Sequence, residues 1–119
     1  MSNYALGLDF GTESARAVLV DVAIGETIAT AAESFPDGVI DEHLPGSDRP
    51  LPPDWALQNS SDWLVALQGL VKAIMAKSKV APRDIVGIGL DFTACTVLPT
   101  TAEGIPLHTL DPYRDQPHA

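Results

Sequence analysis

One cysteine, Cys95, stands in a chain of 119 residues, so neither an internal disulfide nor a cysteine-based zinc site can form, and a reducing cytoplasm is expected. Basic residues are scarce as well. Seven Lys and Arg face sixteen Asp and Glu, a formal net charge of −9, which argues against nucleic acid or an anionic membrane as a partner. No apolar run approaches the roughly 20 residues needed to cross a bilayer, and no basic stretch followed by an apolar one opens the chain, so the sequence reads as soluble and unexported. Internal repeats and low-complexity tracts are absent. No Gly-x-x-x-x-Gly-Lys-Ser/Thr loop and no Gly-x-Ser-x-Gly elbow occurs, which excludes a P-loop and that type of hydrolase. Gly87-Ile88-Gly89 starts like a dinucleotide loop, but Phe92 stands where the third glycine belongs. His43, His108 and His118 fall in loops without metal-ligand spacing and are expected to be solvated surface side chains.

What is present is a globular composition, 45% hydrophobic, arranged in a readable order. Tyr4 to Asp9, Ala15 to Asp21 and Thr27 to Phe35 read as three short strands joined by tight turns, an antiparallel meander spanning 1–35. Residues 36–58 form an irregular excursion whose Pro-Gly and Pro-Pro pairs interrupt regular structure. It is either a functional lid or contact surface, or an insertion without a role. A helix follows within 59–79. Asn59 suits its N-cap and Asp62 its first turn, Trp63, Leu67, Leu70, Val71, Ile74 and Met75 form its apolar stripe, and Lys77 and Lys79 lie near its negative end. Ile85 to Leu90 is apolar on both faces, the pattern of a central strand covered above and below, and the span 85–119 continues into a hairpin and a tail. A β-β-β-α-β order gives a mixed sheet in an α/β domain and matches an actin-like or ribonuclease-H-like start, not a Rossmann fold.

Chemistry concentrates where the first strand ends, at Leu8-Asp9-Phe10-Gly11-Thr12-Glu13-Ser14-Ala15-Arg16. Gly11 allows a backbone to approach a ligand closely. The N–H groups of Thr12, Glu13 and Ser14, the hydroxyls of Thr12 and Ser14 and the Arg16 guanidinium can converge on phosphoryl oxygens. Asp9 has the wrong sign to touch phosphate and suits Mg²⁺, which takes one or two carboxylates and lets substrate phosphates complete its shell. Taken alone, the same residues also describe an ordinary hairpin turn with a hydrogen-bonded aspartate. Arg16 either adds charge for a phosphate or braces the hairpin through a carboxylate. Asp91, at the end of the last strand, either orients a hydroxyl or a metal-bound water, or caps the turn that follows. Cys95 reads as a small buried hydrophobe, with no histidine near it in sequence to activate it.

The turn resembles the first phosphate motif of the FGGY carbohydrate kinases, which share the actin and hexokinase ATPase fold. Gly87-Ile88-Gly89-Leu90-Asp91-Phe92-Thr93-Ala94-Cys95-Thr96 is similar to the family segment that runs from a buried strand into the sugar pocket, and its wording is most similar to the ribulose-phosphorylating branch. Trp55-Ala56-Leu57-Gln58-Asn59 and Tyr113-Arg114-Asp115-Gln116-Pro117-His118-Ala119 also fall where that family places them. The resemblance implies an ATP- and Mg²⁺-dependent kinase of a ketopentose, cytoplasmic and homo-oligomeric, serving arabinose catabolism. Gly11, Thr12, Glu13, Ser14 and Arg16 would hold the nucleotide, Asp9 the metal, and Thr93, Ala94 and Cys95 the sugar, with Trp55 and Gln58 as weaker sugar candidates. Glu13 departs from the small hydroxyl residue common there, although its backbone N–H would do the binding. The resemblance places the general base, an aspartate, well downstream and the adenine pocket in a second domain, so the segment alone is expected to lack turnover. Other readings remain open: a family member acting on xylulose, ribitol or glycerol, a nucleotide-dependent regulator, or a non-catalytic, self-associating piece.

Overall fold

The computed structural model describes residues 2–119. Strands β1 (Tyr4–Phe10), β2 (Ser14–Asp21) and β3 (Thr27–Ser34) are followed by helix α1 (Ser60–Ser78), a 3-10 turn (Pro82–Asp84) and strand β4 (Ile85–Phe92). Tight turns permit only antiparallel pairing of the first three strands, whereas the helical crossover returns β4 parallel to β1. The result is one mixed sheet of order β3-β2-β1-β4, an actin-like α/β arrangement.

Alternation along the strands decides which face is covered. Leu6, Leu8 and Phe10 of β1, Ala15, Ala17 and Leu19 of β2, and Ala29 and Ala31 of β3 are buried on the face where α1 packs. Four of those eight are alanine, so the helix can sit close to the sheet, and Leu70 and Ile74 become fully buried against β2 and β3. This seat shifts the helix stripe from the expected one. Ala66, Leu70 and Ile74 line the contact, Trp63 and Leu67 pack at its margin, and Val71, one residue and about 100° beyond Leu70, is 37% exposed.

Both helix ends are closed by local chemistry. The Asn59 side chain accepts a hydrogen bond from the Ser61 N–H, and Lys79 adopts a left-handed conformation (φ 56°) while its N–H donates to the Met75 carbonyl. Lys77 donates through Nζ to the Thr30 carbonyl at 2.8 Å on edge strand β3.

Strand β4 departs from the covered central strand expected for its apolar run. It is an edge strand, and Val86, Ile88 and Leu90 are 60%, 68% and 64% exposed. The physical reason is the seat of α1 over β2 and β3, which leaves the β4 end of the sheet without a layer above it. Residues 36–58 carry no strand or helix. Isolated bridges (Ile40 with Leu57, His43 with Pro50) and the buried Ile40 and Leu51 hold them down. The excursion is pinned to the helix start: the Asp37 N–H donates to Asp62 Oδ2 at 2.8 Å, and Asn59 Nδ2 donates to Asp37 Oδ2 at 2.7 Å.

Candidate functional site

The parallel register of β1 and β4 decides what meets. Phe10 lies opposite Phe92, and both strands end there on the same edge of the sheet. The turn Gly11 to Ser14 and the segment Thr93 to Thr96 therefore leave the sheet side by side, at the carboxyl ends of parallel strands where open α/β sheets bind ligands. A direct bond ties them: the Thr93 N–H donates to the Phe10 carbonyl at 3.0 Å.

The turn is held from three directions. The Gly11 N–H donates to the Ser14 carbonyl at 2.8 Å, and the Phe35 N–H donates to the Glu13 carbonyl at 2.8 Å. Gln58 Nε2 donates to the Thr12 carbonyl at 3.2 Å. A Cβ on Gly11 would lie 3.1 Å from the Ser14 carbonyl oxygen, a tight contact that any larger residue would meet by shifting that carbonyl a few tenths of an ångström. Thr12 and Glu13 are exposed, and among the described residues neither of their N–H groups is used in a hydrogen bond. Two backbone donors on a braced, accessible turn can receive an anion.

Asp9 and Arg16 face each other as a cross-strand pair on the sheet face opposite α1, with Asp9 Oδ2 and Arg16 Nε 4.0 Å apart and both side chains largely exposed. Such a pair is worth at most about 1 kcal/mol, so Arg16 is free to turn toward another anion. Asp91 lies beside Asp9 in the β1–β4 register, and its Oδ1 accepts a hydrogen bond from the Phe92 N–H at 3.0 Å. Asp9, Arg16 and Asp91 share a hollow of about 730 Å³ with Gly7 and Gly89. Among the described residues no group of three His, Cys, Asp or Glu converges as a metal cage. One or two carboxylates beside a turn with unused backbone donors fit a magnesium ion that arrives with its own anionic ligand, and do not fit a permanently held cation.

A second cavity, of about 750 Å³, opens beside the Thr93–Thr96 segment and is lined by Gln58, Trp63, Cys95, Thr96, His108 and Arg114, among others. Cys95 is exposed there with φ 64°, not buried as its type suggests, because the turn after β4 needs a left-handed residue at that point. Thr93 and Thr96 share a side-chain hydrogen bond at 2.8 Å, while Ala94 is exposed beside them. Thr93 and Ala94 do not line the cavity; Cys95 does.

His108 also differs from a solvated surface side chain. It is half-buried, and its Nε2 shares a 2.6 Å hydrogen bond with the buried Ser60 hydroxyl at the start of α1. His43 is exposed, and the exposed His118 ring meets Trp55 edge-on at 4.9 Å. The contacts that sequence reasoning missed are long-range: the Gln58 bridge, the Ser60–His108 bond, and the packing of Phe10 on Phe92 (4.6 Å, stacked) and of Trp63 on Phe92 (5.3 Å, edge-on). No local pattern marks them, since their partners lie 46 and 48 residues apart for the first two.

A mixed sheet of this order, reached by a β-β-β-α-β succession, is the opening of an actin-like domain. The solved kinases that share it carry the same chain path: a xyloylose kinase from Brucella ovis (TM-score 0.67, 28% identity, 88% of this chain and 20% of that one) and a gluconate kinase from Lactobacillus acidophilus (TM-score 0.69, 18% identity, 90% of this chain and 19% of that one). The N-terminal domain of the FGGY family of carbohydrate kinases matches residues 4–109, and the chain belongs to that family. The ribulokinase of Geobacillus thermodenitrificans is 49% identical over 116 residues, 98% of this chain and 20% of that protein. That of Halalkalibacterium halodurans is 45% identical over 118 residues, 99% of this chain and 21% of that protein. The chain spans about a fifth of the length of the curated relatives it matches.

Proposed function

We propose that these residues form the phosphate- and sugar-facing part of an ATP-dependent ketopentose kinase that converts L-ribulose to L-ribulose 5-phosphate. The observation that carries the reading is the side-by-side exit of the Gly11–Ser14 turn and the Thr93–Thr96 segment from parallel neighbours. A donor turn for the terminal phosphates and a polar segment for the acceptor sugar must lie close together for direct transfer, because phosphoryl transfer depends on positioning and charge neutralisation. High identity to ribulokinases over nearly the whole chain supports the choice of ribulose over xylulose, ribitol or glycerol.

In this reading the free N–H groups of Thr12 and Glu13, with the Thr12 and Ser14 hydroxyls, hold phosphoryl oxygens. Asp9 would hold Mg²⁺, and Arg16 would turn from Asp9 toward the added negative charge. The cation supplies charge neutralisation when bound. Thr93, Ala94 and Cys95 contact the ketose. The 5-hydroxyl loses its proton to a carboxylate outside these residues while its oxygen takes the γ-phosphoryl group and ADP leaves. The family context supports a cytoplasmic, homo-oligomeric enzyme of arabinose use.

The test is calorimetric titration of the chain with ATP, with and without Mg²⁺, beside a coupled ADP-release assay with L-ribulose. The expected result is weak binding strengthened by Mg²⁺, a strengthening lost in Asp9→Asn, and no turnover. Sugar-dependent turnover by these 119 residues would overturn the assignment of the base to another part of the protein. Mg²⁺ strengthening that persists in Asp9→Asn would overturn the metal role.

A further inference from the structure

We infer that Gln58 is a positioning residue that aims the Glu13 N–H at a bound phosphate and links the occupancy of the turn to the wall of the neighbouring cavity through Trp63. The inference rests on the phosphate reading of the turn. Gln58 stands just before the N-cap of α1, and both ends of its amide are engaged. Nε2 donates to the Thr12 carbonyl at 3.2 Å, and Oε1 accepts from the Trp63 indole N–H at 3.1 Å. These two partners fix the amide's orientation, because a flipped amide would set donor against donor and acceptor against acceptor.

The carbonyl that Gln58 grips is half of a functional peptide unit. The Thr12 C=O and the Glu13 N–H belong to one planar trans group and point in opposite directions, so holding the oxygen on the Gln58 side directs the N–H away from it. That N–H is one of the two free donors of the turn. The next peptide is held in turn, since the Glu13 carbonyl accepts from Phe35. A hydrogen bond on the carbonyl also polarises the N–H of the same unit and strengthens it as a donor.

The other end of the bridge leads to the cavity. Trp63 meets the Phe92 ring edge-on, Phe92 stacks on Phe10, and Phe10 enters the turn, so the contacts close a circuit from one side of Gly11 to the other. Gln58 and Trp63 both line the cavity beside Cys95 and Thr96. An anion that pulls on the Glu13 N–H tilts its peptide, changes the Thr12–Gln58 bond and shifts the indole.

The chain has two tryptophans, hence two indole N–H signals in a nitrogen-15 correlation spectrum, and Trp55→Phe assigns the Trp63 one. The probe is inorganic tripolyphosphate with Mg²⁺. The expected result in the wild-type chain is that the Trp63 indole signal and the Gly11–Ser14 amides move with the same apparent Kd. In Gln58→Glu, whose carboxylate accepts from Trp63 but cannot donate to Thr12, the amides still move and the indole does not. Gln58→Met, which preserves length and drops both bonds, carries the same test if the first variant fails to fold, and weakens tripolyphosphate binding by about fivefold. An indole signal that stays still while the wild-type amides move, or that still moves in the variants, sinks the bridge and leaves the phosphate turn standing. Turn amides that ignore tripolyphosphate in the wild-type chain sink both.

Discussion

A buried carboxylate is the residue-scale feature with the clearest consequence for stability. Asp62 is 4% exposed, and burial pushes its carboxyl above the ordinary aspartate value, with the nearby Asp37 charge acting in the same direction and the Asp37 and Gly38 N–H groups opposing. An acid held above its ordinary value in the folded chain binds its proton more tightly there than in the unfolded chain. Its stabilising contribution is complete below the ordinary carboxylate value and is lost as pH rises through the folded one. Asp62→Asn retains an acceptor for the Asp37 N–H and removes the titration. Urea unfolding of the two chains between about pH 4 and pH 7 should show the wild type losing more stability over that interval than the variant. Parallel curves would mean that the buried carboxyl is not shifted. At this scale the sequence showed Asp62 as a first-turn acid, but its burial comes from the excursion folding back, with Asp37 reaching it across 25 positions. Gln58 is the same case: the residue was visible as a weak sugar candidate, and its two bonds were not.

At the scale of elements, helix α1 was legible because its signals are local: Asn59 for the cap, apolar spacing for the buried face, lysines at the end. The left-handed C-cap Lys79 was not, since nothing in a lysine announces a positive φ. That conformation costs an L-residue roughly 1–2 kcal/mol relative to glycine, offset in part by glycine's greater freedom when unfolded. Lys79→Gly is therefore expected to stabilise the chain by about 0.5–1 kcal/mol, read as a higher urea midpoint at unchanged slope. An unchanged or lower midpoint would show that the Lys79 side chain does something at the helix end that the backbone does not reveal. The turn between β1 and β2 belongs to the same class of locally encoded element. Gly11 keeps the approach to the Ser14 carbonyl uncrowded, and the strands on either side of it were readable from their alternation.

For the whole molecule, the decisive fact is uneven cover. Helix α1 shields β2 and β3, while Val86, Ile88 and Leu90 of β4 stand exposed, as do Leu64 and Val65 of the helix. Apolar surface of this kind drives association. The chain by itself is expected to elute from a sizing column ahead of a 12.6 kDa monomer, and the double variant Ile88→Lys, Leu90→Lys to elute later. The variant's thermal midpoint should stay close to the wild type's, because the replaced side chains lie mostly in solvent. A wild-type monomer at high concentration would remove the idea that this face is sticky.

The succession of three strands, helix and fourth strand was legible in the sequence alone, because each element is dictated by neighbours a few residues apart: period-two alternation in the strands and period-3.6 apolar spacing in the helix. Tertiary structure decided which groups share a site. The parallel return of β4 laid Asp91 beside Asp9 and the Thr93–Thr96 segment beside the turn, and it left β4 uncovered at the sheet edge, where its apolar run alone would place it inside. It also joined Gln58 to Thr12 and Ser60 to His108. Those pairings depend on where the whole backbone places residues distant along the chain, and no local run of side chains carries that information.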